Sequence, residues 1–374
     1  MKGKNKVCHM TSTHTRYDVR ITQKECMSLV KAGYEVYLIV CDDAEEEEYK
    51  GIHIISTGFK PKSRLERFYY AGKLLYRKAI AVDAEIYCFH DPELIRFAKG
   101  LYNRGKKVIF DSHEFYALQI LTREYIPFYF RKGIAWLYQK IEKYYLQYIN
   151  AVLIPCTIDN KNYFADKARK TVYISNVPKL CELYDWYDEN AEKENALCHV
   201  GSLTYERGIW HLAKAMENIN AKLKLAGFFS PLNFQEELKK VKGYEKVEYL
   251  GFCNREDVKK LYMKSKIGLC TILNVGQYNH IDTMATKIYE YMSMGIPVVL
   301  SDTPYIKKVL SKYPFGIAVS PENPQEIADA VNFLLDHPEV ADQMGKTGRK
   351  AIKETYNWEI EEEKLLHLYR ELER

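Results

Sequence analysis

The sequence predicts an α/β protein of two Rossmann-like domains, each a parallel sheet covered by helices. Three observations carry this. Short apolar runs alternate with stretches of helical spacing nearly throughout the 374 residues, and that alternation implies right-handed crossovers between parallel strands. The same grammar restarts after residue 175. The length exceeds what one ordinary core fills, and 47% hydrophobic content suits packed domains.

In chain order, KVCHM, YEVYLIVC, GIHIIS, AEIYCFH, KKVIFD, AVLIP and TVYIS read as the strands of the first domain. The stretch DVRITQKECMSLVKAG has helix spacing, and EEEE at 45–48 reads as a solvated loop. PKLCELYDWYDENAEKEN is polar, carries turn chemistry and reads as the joint. NALCHVGS, AKLKLAG, EKVEYLG, KIGLCTI, IPVVLS and FGIAVS then read as the strands of the second domain. In the tail, Asn357 stands at a cap position, and Trp358, Leu365, Tyr369 and Leu372 share one face. This final helix is expected to cross back onto the first domain. The expected division is therefore 1–175 with 357–374, and 176–356.

The net charge of +5 is unevenly spread. Residues 1–175 hold 29 Lys/Arg against 20 Asp/Glu, a balance of +9, and the rest holds 26 against 30, a balance of −4. The first domain is thus expected to face something anionic. The nine cysteines include no CxxC pair and sit mostly in apolar runs, as in a reducing compartment. The opening MKGKNKVCHMTS lacks an apolar signal core, and no apolar run nears the ~18 residues of a spanning helix. A cytosolic protein able to touch a membrane surface is expected. GxGxxG and GxxxxGK[ST] do not occur, which disfavours dinucleotide and P-loop readings.

Ligands of open α/β sheets bind at the carboxyl ends of the strands. His113 and Glu114 follow KVIFD, His90 and Asp91 follow IYCF, and Arg207 follows HVGS. Polar residues thus gather at the rims of both sheets, as a cleft between domains requires. Asp91-Pro92 is equally good helix-start chemistry, and no ligand spacing supports a metal.

The densest signal is DTMATKIYEYMSMGIPVVLSD at 282–302. The amides of Thr283, Met284 and Ala285 fall at or before a helix start, where free N–H groups and the helix dipole favour a phosphate. Lys287 adds a point charge one turn in. Asp282 can accept from sugar hydroxyls, and Glu290 can grip a vicinal diol such as that of a ribose. The order sugar, diphosphate, ribose fits one helix.

Asp-x7-Glu followed by YMSMGIPVVLSD resembles the E-x7-E signature of family-4 retaining glycosyltransferases of the GT-B fold. HVGSLTYERGI, LKLAGFF, VEYLGF, NPQEIADAVNFLLDHPE and MGKTGRKAIKETYNWE resemble successive parts of their second domain. TRYDVRITQKECMSLVKAGYEVYLIV, FHDPELI and KKVIFDSHEFY are similar to a bacterial branch that builds capsule, O-antigen and exopolysaccharide. The resemblance implies retaining transfer from a UDP- or GDP-sugar without a metal or other cofactor. It implies ribose on Glu290, sugar hydroxyls on Asp282, and diphosphate near amides 283–285, Arg207 and Lys287. It places His113 near the transferred sugar and the nucleobase at Gly251 and Phe252. Three departures stand out. Asp282 replaces the glutamate, Ser202 replaces a common arginine, and TSTHTRYD replaces a Gly-Gly loop.

For the acceptor side, Arg16, Arg20, Lys24, His90, Asp91 and Glu114 are the candidates. KPKSRLERFYYAGKLLYRK carries seven positive residues and one negative, with Leu65, Phe68, Gly72, Leu75 and Ala79 at helix spacing. YIPFYFRKGIAWLYQKIEKYYLQY again mixes aromatics with cations. Such surfaces suit lipid headgroups, so a saccharide or polyprenyl-diphosphate-linked acceptor at the inner face of the plasma membrane is expected. No nucleic-acid motif is present. Two other readings stay open at this level: a GT-B sugar-nucleotide epimerase, and a catalytically silent nucleotide-sugar-binding subunit.

Overall fold

A computed structural model of the chain describes residues 5–123 and 126–374. The chain folds into two units. The first ends at Asn176 and takes up Ile360–Arg374, and the second is Val177–Glu359.

The sheet of the first unit contains β1 (Lys6–Thr11), β2 (Glu35–Val40), β3 (Glu47–Tyr49), β4 (Ile52–Ser56), β5 (Ile86–Phe89), β6 (Lys107–Asp111), β7 (Ala151–Ile154) and β8 (Thr171–Tyr173). Their order is β3-β4-β2-β1-β5-β6-β7-β8. All neighbours are parallel except β3 and β4. β1, β5 and β7 are buried almost throughout because helices cover both faces. β3 corrects the sequence reading, in which EEEE was a loop. It is a short, charged edge strand, a form that edges tolerate, and Glu47 is anchored by Arg16 Nη1 at 2.6 Å.

The sheet of the second unit contains β9 (Ala196–Val200), β10 (Lys222–Ala226), β11 (Val247–Gly251), β12 (Ile267–Cys270), β13 (Val298–Ser301) and β14 (Gly316–Val319). It runs β11-β10-β9-β12-β13-β14, with every pair parallel. Alternation along each strand feeds two cores. Cys198 and Cys270 face one beneath helix Thr286–Ser293, while Leu197 and Leu269 face the other.

The last helix, Trp358–Leu372, straddles the division between the units. Leu365, Leu368 and Tyr369 lie in the part that belongs to the first unit, and all are fully buried. Asn357 closes the preceding helix, donating Nδ2–H bonds to the carbonyls of Ile352 (2.8 Å) and Lys353 (3.0 Å).

Two helical segments of the first unit are poorly covered. The chain is helical from Arg64 to Val82, capped by Ser63, whose Oγ accepts from the Glu66 amide. Gly72, Leu75 and Ala79 are buried, but Leu65 is 72% exposed and Phe68 40%. Helix Phe128–Leu146 buries only Ala135, Glu142 and Leu146. Phe128, Tyr129, Trp136, Leu137 and Ile141 stay exposed. Among the described residues no helix is long and apolar enough to cross a membrane.

Candidate active site

At the carboxyl edge of the second sheet three loops crowd together. Gly201, Gly227 and Gly251 all have positive φ. A Cβ on Gly227 would lie 1.8 Å from the Gly201 carbonyl oxygen, so only glycine permits this approach. Phe252 stacks on Phe228 with centroids 5.4 Å apart and planes 15° from parallel, and both rings are more than 60% exposed. This is an open aromatic platform at the sheet rim.

Helix Thr286–Ser293 begins beside the loop after β9. Its cap residue Ala285 is extended and offers no side-chain cap, so the first-turn amides lack intrahelical acceptors. The Lys287 ammonium donates to His199 Nε2 at 2.8 Å, and it would lie 3.3 Å from a Cβ on Gly201. Burial chiefly, with Arg207 adding, pulls the Lys287 pKa down to about 8. Burial, then Lys287 and Arg207, pushes His199 well below the usual imidazole range, so it stays neutral and accepts. Arg207 is half-buried in the loop after β9, and its amide donates to Thr204 Oγ1 at 3.2 Å. Two cations and a helix N-terminus thus share one sheet edge, the chemistry of a phosphate cradle.

Glu290, one turn beyond Lys287, is only 8% exposed. Its Oε1 accepts from Arg255 Nη1 and its Oε2 from the Tyr262 hydroxyl, both at 2.7 Å. These bonds fix the carboxylate and leave each oxygen one further lone pair. Tyr291, on the next position, packs its ring on β12, where a Cβ on Gly268 would stand 2.5 Å away. The absence of a side chain at Gly268 therefore lets the helix lie close on the sheet.

In the first unit a buried polar chain runs through the strand ends. Arg20 holds Asp111 with two bonds, Nε to Oδ2 at 3.0 Å and Nη2 to Oδ1 at 2.8 Å. Burial opposes the charge on Asp111, yet Arg20 and His113 hold its carboxyl well below the usual range. Asp111 Oδ2 lies 2.8 Å from His113 Nε2 and 3.2 Å from His90 Nδ1. An ionised carboxylate only accepts, so both of these ring nitrogens carry protons. His90 Nε2 then accepts from His9 Nδ1 at 2.8 Å, and His9 Nε2 accepts from the Tyr369 hydroxyl at 3.2 Å. Burial keeps His9 and His90 neutral, as this tautomer chain needs. The other ring nitrogen of His113, Nδ1, belongs to a ring 17% exposed in a pocket of about 370 Å³ also lined by His14, Glu114 and Arg123.

Ligand-type atoms of His90, Asp111 and His113, and of His9, Glu25, Cys88 and His90, fall within 4.8 Å of one another. The guanidinium of Arg20 on Asp111 already supplies positive charge there, and a metal cation would be repelled by it.

Several predicted residues take other places. Arg16 pairs with Asp42 through Nε and Nη2, both at 2.8 Å, and with Glu47. Arg20 is buried on Asp111, and Lys24, 1% exposed, donates to Asn176 Oδ1 at 3.1 Å. These three acceptor-side candidates are thus held by partners within their own unit. Asp91 accepts from Thr11 Oγ1 (2.8 Å) and the Ser12 amide (2.7 Å), which clips the end of β1 to the Pro92 helix. His90 is an internal member of the chain just described. The helix starts at Thr286, after Thr283, Met284 and Ala285, and the Met284 amide donates to the Tyr289 hydroxyl at 3.3 Å. The first-turn amides are therefore those of Thr286 and Lys287. Asp282 lies half-buried in the preceding loop. His199, Phe228, Arg255, Tyr262 and Asp111 escaped the sequence reading. Their only signal was position: His199 and Asp111 sit near the carboxyl ends of apolar strands.

Residues 185–351 match the family model described as Glycosyl transferases group 1, so the second unit carries a glycosyltransferase group 1 domain. An uncharacterized glycosyltransferase of Methanocaldococcus jannaschii is 30% identical over 184 residues, 48% of this chain and 45% of that protein. The chain aligns with less than half the length of the curated relatives it matches. Sucrose-phosphate synthase from Thermosynechococcus elongatus superposes with a TM-score of 0.78 at 15% identity, over 99% of both chains. Anabaena HepE, solved in complex with UDP and glucose, gives 0.73 at 11% identity, over 98% of this chain and all of that one. At such identities the likeness defines the fold, which is GT-B.

Proposed function

We propose that this chain is a retaining glycosyltransferase of family 4. It moves a sugar from a nucleotide-diphosphate sugar to a saccharide or lipid-linked saccharide acceptor in bacterial surface-polysaccharide synthesis, at the inner face of the plasma membrane. The observation that carries the reading is the juxtaposition of Lys287, the start of helix Thr286–Ser293 and buried Glu290 on one sheet edge. In this reading the diphosphate rests on the Thr286 and Lys287 amides with Lys287 and Arg207. The ribose diol bonds the free lone pairs of Glu290, and the base stacks at Gly251, Phe252 and Phe228. Asp282 accepts from a hydroxyl of the transferred sugar. Charge developing on the leaving diphosphate is met by fixed cations, the largest catalytic contribution expected here. That oxygen then takes the acceptor proton, and no step requires a metal. The donor is a UDP-sugar, in keeping with the UDP complex of HepE.

The test is a melting-temperature screen of UDP-, GDP- and ADP-sugars followed by turnover assays. A selective donor raises the melting temperature by mass action. Glu290→Ala should cut transfer by about two orders of magnitude or more, matching loss of a charge-assisted pair of about 3 kcal/mol, with the fold retained by circular dichroism. Near-normal turnover in that variant would falsify the site.

A further inference from the structure

The pocket beside His113 does not end at its polar wall. It shares Arg64, Arg67, Pro92, Glu93 and Tyr116 with a second, larger hollow of about 790 Å³. This groove lies between the Arg64–Val82 segment and helix Phe128–Leu146, and its walls include Leu65, Phe68, Ile95, Ile141 and Tyr144. Leu65, Phe68, Ile141 and Tyr144 are 40–72% exposed, although helix faces of a βαβ fold ordinarily cover such residues. Charge on its lining is one-sided: Arg64, Arg67, Arg96 and Lys140 against Glu93. Glu93 is already engaged by Arg67 Nε at 2.6 Å, so the remaining balance is positive.

We propose that this groove binds the apolar chain of an amphipathic acceptor whose phosphate sits at the Arg64–Arg67 junction and whose sugar enters the His113 pocket. The proposal rests on the transferase reading and names the acceptor class. Charge and continuity select the occupant. An aliphatic chain needs an apolar trough, its phosphate needs cations at one end, and its saccharide must lie where the trough meets the polar pocket. A partner helix lying in the groove would sit against the mouth of that pocket. The volume lies within the range of sites that enclose a small ligand.

The probes are farnesyl phosphate, farnesol and inorganic pyrophosphate, titrated onto the full chain by melting temperature and tryptophan fluorescence. Farnesyl phosphate should bind, with farnesol and pyrophosphate each at least about tenfold weaker. Ile141→Asp should weaken farnesyl phosphate about tenfold by placing a charge in the trough. Leu65→Asp, at a position 72% exposed, does the same should the first variant fold poorly. Arg64→Ala should erase the advantage over farnesol. UDP-sugar binding, followed in parallel, should be unchanged in all three. If UDP-, GDP- and ADP-sugars all fail on the wild type while farnesyl phosphate binds, the transferase reading falls and the groove stands. The groove is overturned if both Asp variants bind farnesyl phosphate as the wild type does. It is overturned equally if the wild type binds only phosphatidylglycerol vesicles and no free farnesyl phosphate, which would mark a general membrane patch. A dimer that Ile141→Asp converts to monomer would assign the face to a second copy instead.

Discussion

At the scale of single residues, Lys287 is the most informative group. Its pKa near 8 means that the ammonium begins to lose its proton just above neutrality. A bound diphosphate favours the charged form, so donor affinity should fall as pH rises through 8. Titrating the donor calorimetrically from pH 7 to 9 should show a loss of about tenfold, the worth of one charge-assisted hydrogen bond. Lys287→Met should bind weakly at every pH, with the slope gone. A wild-type affinity that is flat across this range would remove Lys287 from the phosphate contacts. The spacing of Asp282, in the loop before the helix, and of Lys287 and Glu290 along it could be read from the sequence because it is local. Their partners could not. His199 lies 88 positions from Lys287, and Arg255 and Tyr262 lie 35 and 28 from Glu290. Pattern reading has no access to such separations. The misplacement of Arg16, Arg20 and Lys24 has the same origin. A cation and its buried carboxylate look solvated until the sheet brings them together, as it does Arg20 and Asp111 across 91 positions.

At the scale of elements, thirteen of the fourteen strands among the described residues follow from short apolar runs, and the central ones are apolar throughout because both of their faces are covered. β3 escaped because an edge strand need not be apolar, and its three residues pair on one side only. The start of the helix at Thr286 agrees with the reading that put residues 283–285 at or before it, but it carries no side-chain cap, the cue that would have fixed it to the residue. Helix position here is set by contact. Gly268→Ala would drive a methyl group into the Tyr291 ring, and overpacking of this kind costs about 1–3 kcal/mol. We expect a lower melting temperature together with weaker donor binding, since the same helix carries Lys287 and Glu290. Gly133→Ala is the control: a Cβ there meets nothing within 4 Å, and alanine should leave the helix unchanged or up to about 1 kcal/mol more stable. Equal behaviour of the two variants would refute the idea that the Gly268 contact sets the height of the helix.

At the scale of the whole molecule, stability is linked to protons on the buried cluster of the first unit. Burial, then the charge on Asp111, raises the Glu25 carboxyl well above its usual value, so the folded state holds a proton that the unfolded chain releases. The stabilisation is complete below the unfolded pKa and declines as pH rises above it. Glu25→Gln, which needs no proton, should therefore gain in melting temperature relative to the wild type as pH goes from 5 to 8. A constant difference would mean that Glu25 is ionised in the folded protein. The two-unit plan was legible from the restart of the strand pattern after residue 175, whereas this proton account was not, because it depends on what surrounds one carboxyl group. The return of the last helix to the first unit has a consequence for biosynthesis. The ribosome must make all 183 residues of the intervening unit before Leu365, Leu368 and Tyr369 emerge to fill their places, an interval on the order of ten to forty seconds. Throughout that interval the nascent first unit exposes an apolar trench, which is a standing target for chaperones and proteases.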